Sequence, residues 1–285
     1  MMKKVYRGKY RILTSKKLTS EMHELKIVSA DISRTASAGQ FVNVYLPGGE
    51  MLLPRPIGIT DTGGATLTIT FAAIGKGTRA LTHYRADDYV ELMGPLGSGF
   101  FDYEGSPVDE AALLLIGGGS GVAPLLFAAR EMIKKANGSA KITACLGFPR
   151  EPWYREEFEN VCNEVGISSE AEGMAEFHGN VVELVDSLYI PGKKERPVLA
   201  LACGPRPMLE AAAKWCLARD IPLRVSMEER MGCGYGACAG CAVATRLLYD
   251  KNKPQNGPDT PDDNGIIKKK VCAHGPVFWA DEVVW

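Results

Sequence analysis

The feature that most constrains this 285-residue chain is a set of four cysteines near its carboxyl end. Three of them follow a C-x4-C-x2-C pattern and the fourth comes further along the chain: Cys233, Cys238, Cys241 and Cys272. Four glycines lie beside or between the first three: Gly232, Gly234, Gly236 and Gly240. Because glycine has no side chain, it permits tight turns in which backbone N–H groups approach the sulfur atoms. We therefore expect a loop wrapped around a group that thiolates hold.

This cysteine spacing is typical of a plant-type [2Fe–2S] cluster, whose iron atoms bind thiolates. Hydrogen bonds from backbone N–H groups to the sulfurs would suit the negative charge of the cluster and tune its potential. We therefore predict metal ligands at Cys233, Cys238, Cys241 and Cys272. A structural zinc site is the main alternative, although zinc usually binds two C-x2-C-like pairs. Four unrelated buried thiols are the other alternative.

The composition is that of an ordinary globular protein, with 46% hydrophobic and 24% charged residues. The formal net charge is −1, which argues against nucleic acid as a partner. No apolar stretch follows the basic residues at the amino terminus, and no apolar run has membrane-spanning length. We therefore expect no signal peptide, no membrane span and a cytoplasmic location. In that reducing compartment, the remaining cysteines are expected to be buried free thiols: Cys145, Cys162, Cys203 and Cys216.

Residues 1–104 consist of short segments with alternating or β-branched character. Examples are Gly39–Leu46, Ala65–Ala72 and Asp88–Met93, and turn signals such as Pro47-Gly48-Gly49 separate them. Short strands at this spacing predict a small antiparallel β-barrel.

Residues 105–227 alternate between strand-like and helix-like segments. The continuous apolar run Ala112–Ile116 is typical of a strand that is buried on both faces. The other predicted strands are Lys141–Gly147, Val198–Ala202 and a final one at Leu223–Met227. The predicted helices are Leu125–Lys135, Tyr154–Glu164 and Pro207–Arg219. This alternation predicts a parallel sheet with helices on its faces.

Residues 228–285 form a third predicted domain, which is small and built around the cluster. It contains the polar stretch Asp250–Asn264, which we expect to be an exposed excursion. The predicted fold class is therefore α+β and multidomain. It comprises an N-terminal antiparallel β-barrel, an α/β parallel-sheet nucleotide-binding domain and a small C-terminal [2Fe–2S] domain.

Two segments of the second domain are candidates for dinucleotide binding. The glycine loop Gly117–Pro124 follows a predicted strand and precedes a predicted helix, so a pyrophosphate could approach its backbone. Cys203-Gly204-Pro205 stands at the carboxyl end of another strand, where open α/β sheets bind ligands. A tight βα turn explains the glycines of the first segment, and a buried cysteine at a strand end explains the second equally well.

The first domain holds a candidate diphosphate site. Arg55-Pro56-Ile57-Gly58 follows apolar residues, and Gly75-Lys76-Gly77-Thr78 follows a predicted strand. An arginine, backbone N–H groups and a threonine hydroxyl could together hold a diphosphate. A hairpin turn with a surface arginine is an equally good explanation.

Taken together, these motifs resemble those of the electron-transfer subunit of type B dihydroorotate dehydrogenase, in the ferredoxin–NADP reductase superfamily. The resemblance covers nearly the whole chain and is most specific at Glu228–Cys241, which reads EERMGCGYGACAGC. It also includes Gly94–Gly97, Gly117–Pro124 and the tail Val271–Phe278.

The resemblance implies that the β-barrel binds FAD and that the α/β domain binds NAD. The implied FAD contacts are Arg55, Pro56, Ile57, Gly58, Thr70, Phe71, Ala72, Gly77 and Thr78. The implied NAD contacts are Gly117, Gly118, Gly119, Gly121, Gly204 and Pro205. Cys203 is the implied catalytic residue. Many members of the family have a hydroxyl residue where this chain has Gly58.

The resemblance further implies an accessory subunit of NAD-dependent dihydroorotate dehydrogenase, in pyrimidine biosynthesis. Electrons would pass from the FMN of a catalytic partner subunit, through the cluster and FAD, to NAD⁺. The implied assembly is a heterotetramer of two plus two subunits. The nearest alternative is the FAD/[2Fe–2S] subunit of a ferredoxin:NAD(P)H oxidoreductase or a hydrogenase. The alternative of another class is a non-enzymatic redox-sensing iron–sulfur or zinc protein.

Overall fold

The computed structural model describes residues 4–47, 51–103, 112–189, 196–246, 262 and 264–285. The glycines of the predicted turn after Pro47 lie outside these described residues, as does the boundary predicted between residues 104 and 105. Among the described residues, no helix is both long enough and apolar enough to cross a membrane.

The amino-terminal part is a closed barrel of six antiparallel strands, in the order β1-β2-β5-β4-β3-β6. The strands are β1 (Tyr6–Lys17), β2 (Met22–Val28), β3 (Phe41–Tyr45), β4 (Arg55–Gly63), β5 (Thr66–Ala72) and β6 (Tyr89–Leu96). Two short helices, α1 (Ala30–Thr35) and α2 (Lys76–Leu81), connect some of them. Closure pairs the strand edges with one another, so that the sheet has no free edge. The predicted barrel is confirmed.

The second part is a seven-stranded sheet in the order β10-β9-β8-β7-β11-β12-β15. Its strands are β7 (Ala112–Gly118), β8 (Lys141–Phe148), β9 (Glu164–Ser169), β10 (Phe177–His178), β11 (Leu199–Cys203), β12 (Leu223–Ser226) and β15 (Val277–Trp279). The helices are α3 (Val122–Lys135), α4 (Arg155–Glu159), α5 (Val181–Leu188) and α6 (Arg206–Leu217). The first six strands are parallel, which confirms the predicted parallel sheet, although β9 and β10 were not predicted.

The order of these strands places a topological switch point between β7 and β11. From β7 the chain passes outward through β8 and β9, and then returns to the other side of β7 as β11. In open α/β sheets, ligands bind outside the carboxyl ends of the strands at such a point. The glycine loop after β7 and Gly204 after β11 therefore meet where a nucleotide is expected.

Two elements of the sheet differ from the sequence-based expectation. The helix predicted over Tyr154–Glu164 is only α4, and β9 begins at Glu164. The helix cannot continue through Asn163, because its backbone N–H and its side-chain Oδ1 both bond to Ile142 of β8. In addition, β12 is not the last strand, because β15 adds to the sheet edge as an antiparallel strand.

The carboxyl-terminal part contains a two-stranded hairpin of β13 (Ala242–Arg246) and β14 (Ile266–Lys270), followed by α7 (Val271–His274). The register pairs Ala242 with Lys270, and the Val271 N–H donates to the Cys241 carbonyl at 3.0 Å. This register brings Cys241 and Cys272 together. The predicted polar excursion Asp250–Asn264 connects the two strands and lies almost entirely outside the described residues.

The segment Gly275–Trp279, which we call the tail segment, joins all three parts. The Ser98 N–H at the end of the barrel donates to the Gly275 carbonyl at 2.6 Å. The Met227 N–H, just after β12, donates to the Pro276 carbonyl at 2.9 Å. Phe278 packs in a hydrophobic core that also contains Cys272, and it is 2% exposed.

We predict that Phe278→Ala lowers the free energy of unfolding by about 3–5 kcal/mol, because the substitution leaves a cavity in this shared core. The measurement is equilibrium urea unfolding of the purified chain. Val198→Ala is the matched control, since Val198 is 51% exposed beside the same sheet and should change stability by less than about 0.5 kcal/mol. Equal losses for the two variants would contradict a packed tail segment.

Candidate functional site

A cleft of about 310 Å³ lies between the barrel and the sheet. Pro56, Ile57 and Gly58 of β4 line it from the barrel side, together with Thr70–Ala72 of β5. The two sides approach closely, since a Cβ atom at Gly58 would lie 2.9 Å from Pro124 Cγ in α3. A planar ring system bound here would therefore contact both the barrel and the sheet.

Arg55 and Gly77 lie against each other at the barrel side of the site. A Cβ atom at Gly77 would lie 2.2 Å from Arg55 Nε, so only glycine leaves room for the guanidinium. The guanidinium also donates to the Leu53 carbonyl at 2.5 Å. Thr78, next to Gly77, lines the cleft. A cation and a hydroxyl therefore lie near each other beside the cleft. The diphosphate contact predicted for them stays a prediction.

The predicted nucleotide segments pack against each other at the switch point. A Cβ atom at Gly121 would lie 2.3 Å from the carbonyl carbon of Cys203, and one at Gly204 would lie 3.0 Å from the Gly118 oxygen. Gly121 and Cys203 line the cleft. The other members of the predicted NAD set are not among the residues that line the cleft: Gly117, Gly118, Gly119, Gly204 and Pro205.

Cys203 is 3% exposed and borders the cleft. Burial, and to a lesser extent the charge of Glu228, raise the pKa of this thiol well above its usual range. A neutral thiol is a poor nucleophile. A neutral Cys203 is therefore not expected to act as a nucleophile, and its predicted catalytic role stays a prediction.

The cleft also has lining residues that sequence reasoning missed: Ser226, Met227, Glu228, Glu229, Met231 and Pro276. The first four directly follow or end β12, so the rule for carboxyl ends of strands could have identified them. Burial raises the pKa of the Glu228 carboxyl, which faces this cleft. Pro276 had no such signal, because its position depends on the antiparallel addition of β15 to the sheet.

The four predicted cluster ligands form two pairs. The sulfur atoms of Cys241 and Cys272 lie 3.3 Å apart, and both residues are buried. In the other pair, the Cys233 N–H donates to Cys238 Sγ at 3.4 Å, and Cys238 is exposed. Two pairs of thiols, one of them open to solvent, suit a two-iron cluster held only by cysteines.

The two pairs differ in their electrostatics. Desolvation opposes ionisation of Cys233, but N–H groups of Tyr235, Cys238 and Ala237 outweigh it and lower its pKa to about 6. Burial and the neighbouring Cys241 raise the pKa of Cys272 to about 12. Because metals bind thiolates, iron must displace the proton of Cys272, whereas the loop already favours thiolate at Cys233.

The cluster loop is attached directly to both sides of the cleft. Asn43 of β3 donates from Nδ2 to the Cys233 carbonyl at 2.9 Å, which ties the loop to the barrel. Met231 lines the cleft only two residues before Cys233. Two extended residues span about 7 Å, so the cluster and the cleft are close.

The barrel, the switch point and the cysteine loop together define a flavin- and nicotinamide-dependent reductase with an attached iron–sulfur centre. Residues 115–214 match the profile of the oxidoreductase NAD-binding domain. Residues 228–254 match the iron–sulfur cluster binding domain of dihydroorotate dehydrogenase B. Among solved structures, an NADH-dependent reduced ferredoxin–NADP oxidoreductase superposes with a TM-score of 0.77. It is 24% identical, and the match covers 97% of this chain and 90% of the other.

Curated relatives identify the family. The electron transfer subunit of dihydroorotate dehydrogenase B (NAD⁺) from Caldanaerobacter subterraneus is 33% identical, over 98% of this chain and 99% of that protein. The subunit of the same name from Geobacillus kaustophilus is 34% identical, over 98% of each. The chain belongs to the family of electron transfer subunits of dihydroorotate dehydrogenase B. The matched domains, the fold and the family confirm the predicted cofactors: FAD, a [2Fe–2S] cluster and NAD.

We predict that Cys238→Ala abolishes the cluster. Iron and acid-labile sulfide should fall from about two of each per chain to background, and the visible absorption of the cluster should disappear. Because Cys238 is exposed, the fold should survive the substitution. Cys162→Ala is the control, since this cysteine lies outside the loop and should leave the iron content unchanged.

We predict that Arg55→Met weakens FAD binding, because methionine retains an apolar stem without the charge. Loss of a charge-assisted hydrogen bond costs about 1.5–3 kcal/mol, which corresponds to an increase of about 10–150-fold in Kd. Flavin fluorescence titration measures the change. Arg34→Met on α1 removes an exposed arginine whose ion pair is with Asp31, and it should leave FAD affinity unchanged. Wild-type affinity in Arg55→Met would refute the diphosphate contact.

Proposed function

We propose that this chain connects a catalytic dihydroorotate dehydrogenase subunit to NAD⁺ in pyrimidine biosynthesis, with its [2Fe–2S] cluster and FAD as the internal carriers. One observation carries the proposal. The predicted flavin segment, the nucleotide loop and the start of the cluster loop share one cleft, through Gly58, Gly121 and Met231. This shared cleft supports the proposal that a hydride acceptor and a one-electron centre meet at one flavin.

The bound groups supply the redox chemistry, because nicotinamide exchanges a hydride, the cluster exchanges single electrons and a flavin can do both. The chain holds the bound groups in position and lines the cleft around them. Ile57 and Phe71 give the cleft an apolar wall on the barrel side, and Met227 does so on the sheet side. Gly121 and the neutral Cys203 thiol leave the sheet side flat for a nicotinamide ring.

The partner is proposed to be an FMN-containing catalytic subunit, in a heterotetramer of two plus two. The relatives are named as subunits of dihydroorotate dehydrogenase B, so a catalytic partner belongs with this family. The exposed Cys238 and the 54% exposed Tyr235 support a partner contact at the cluster loop. The four cysteines outside the cluster set are unpaired thiols, which supports the expected cytoplasmic location: Cys145, Cys162, Cys203 and Cys216.

We predict that this chain oxidises NADH and that the catalytic subunit oxidises dihydroorotate, and that Cys238→Ala separates these two activities. With NADH as the electron donor, the isolated wild-type chain should reduce ferricyanide. In a separate assay with dihydroorotate as the donor, the isolated chain should show no oxidation of dihydroorotate. With the catalytic subunit added, dihydroorotate should drive formation of NADH. In Cys238→Ala, ferricyanide reduction should persist at the flavin, whereas the coupled reaction should fall to background. Oxidation of dihydroorotate by the isolated chain, or a fully coupled cluster-free variant, would refute the proposal.

A further inference from the structure

The proposed function requires a proton at the flavin cleft. Formation of one NADH consumes NAD⁺, two electrons and one proton, because a hydride is a proton with two electrons. The cluster delivers both electrons but no proton. For each NADH formed, one solvent proton must therefore reach the flavin, and in the reverse direction one must leave.

A chain of buried hydroxyl groups leads from this cleft toward the surface. Thr70 lines the cleft and is 4% exposed. Its Oγ1 accepts from Thr60 Oγ1 at 3.0 Å and lies 2.7 Å from the Tyr154 hydroxyl. The Tyr154 hydroxyl in turn donates to a carboxylate oxygen of Glu24, which is only half-buried. The groups thus form a continuous hydrogen-bonded path from the cleft to solvent.

The fold builds this path from both sides of the site. Glu24 of β2 and Thr70 of β5 are directly paired in the barrel, so their side chains share one face. Tyr154 comes from the sheet side, immediately before α4, and inserts its hydroxyl between them. Its backbone is left-handed, with φ 63°, a conformation that is uncommon for a bulky residue.

Each group in the path has the right chemistry to pass a proton. Burial, reinforced by the Glu24 charge, raises the pKa of Tyr154, so the phenol stays neutral. A neutral hydroxyl can accept and donate at the same time. Because Tyr154 donates to Glu24, the hydrogen of Thr70 can point toward Tyr154 or into the cleft.

We propose that Glu24, Tyr154 and Thr70 form a proton relay for the flavin. During NADH formation, Glu24 takes a proton from solvent and gives it to the Tyr154 oxygen as Tyr154 gives its own proton to Thr70. Thr70 then releases its proton into the cleft, where a bound flavin would take it up. In the reverse direction, each transfer runs outward and Glu24 returns the proton to solvent.

Other polar groups in the cleft are less suited to this role. Gly58, on the barrel wall, offers no hydroxyl. Ser226 is paired with Cys203 across β12 and β11, on the sheet side. The charge of Glu228 raises the pKa of Cys203, so Glu228 lies near Cys203 on the side of the cleft where the nicotinamide is expected to pack. Within the described part of the chain, Thr70 is the cleft hydroxyl whose hydrogen bonds continue to a second hydroxyl and a surface carboxylate.

The test uses Tyr154→Phe, which keeps the ring and removes the hydroxyl, in the flavin- and cluster-loaded chain. Stopped-flow absorbance at the flavin separates two steps. Hydride transfer from NADH needs no solvent proton, whereas oxidation of the reduced flavin by ferricyanide releases one. We expect Tyr154→Phe to slow oxidation of the reduced flavin by about 100-fold, which is at the lower end of the range for positioned acid–base groups. Hydride transfer from NADH should slow far less. The solvent deuterium isotope effect on the second step should also change.

A second readout does not depend on turnover. Because the relay returns Glu24 to its starting charge, time-resolved infrared spectra during a single oxidation of the reduced flavin should contain a transient carboxyl band, assigned to Glu24 by its loss in Glu24→Gln. Without the Tyr154 hydroxyl, this carboxyl is disconnected from the flavin, so the band should also disappear in Tyr154→Phe.

Glu21→Gln is the matched control. It breaks the exposed ion pair between Glu21 on the barrel and Arg150 on the sheet side, and it leaves the hydroxyl path intact. If Tyr154 only joined the barrel to the sheet, as the Glu21–Arg150 ion pair does, Tyr154→Phe and Glu21→Gln would each slow hydride transfer and flavin oxidation alike. That outcome would overturn the relay. A Glu228→Gln variant that alone alters the isotope effect would also overturn it. Failure of coupling to the catalytic subunit, with the Tyr154 effect retained, would refute the proposed function and not the relay.

Discussion

The arrangement of the whole site depends on the tail segment, because it contacts the barrel, the sheet and the cluster region at once. Gly275 accepts from Ser98, Pro276 accepts from Met227, and the strand that follows pairs with β12. A Cβ atom at Gly97 would lie only 2.5 Å from Pro276 Cδ, so the fit at the barrel end is tight. The tail segment also begins directly after α7, which carries Cys272. Its position therefore determines the spacing between the cluster and the cleft.

Much of this architecture could be predicted from local pattern. Alternation and turn signals indicate the barrel, and apolar runs separated by helical segments indicate the parallel sheet. The cysteine spacing indicates the cluster because the ligands and the glycines are close together in sequence. In the cleft, Gly58, Thr70 and Cys203 were predicted by resemblance, and the structure brings them together.

What could not be predicted depends on long-range contacts. Pro276 reaches the cleft because β15 joins the far edge of the sheet, and nothing in its own sequence indicates an antiparallel addition. The helix expected after Tyr154 is cut short by bonds from Asn163 to a neighbouring strand, which local propensity does not contain. The contact of Tyr154 with Thr70 and Glu24 likewise joins two domains, so no spacing along the chain encodes it.

Electrons and protons enter the cleft by different structural elements, and their chemistry explains why. The cluster loop is rich in glycine and partly exposed at Cys238, where a partner protein can approach a one-electron centre. Proton transfer needs hydroxyl groups within hydrogen-bond distance of one another, and the barrel wall with Tyr154 supplies them. Because electrons enter at the cluster loop and protons enter along the barrel wall, Gly121 and Cys203 on the sheet side remain available to contact a nicotinamide. A flavin bound in the cleft would therefore receive electrons, a proton and a nicotinamide contact from separate elements of the chain.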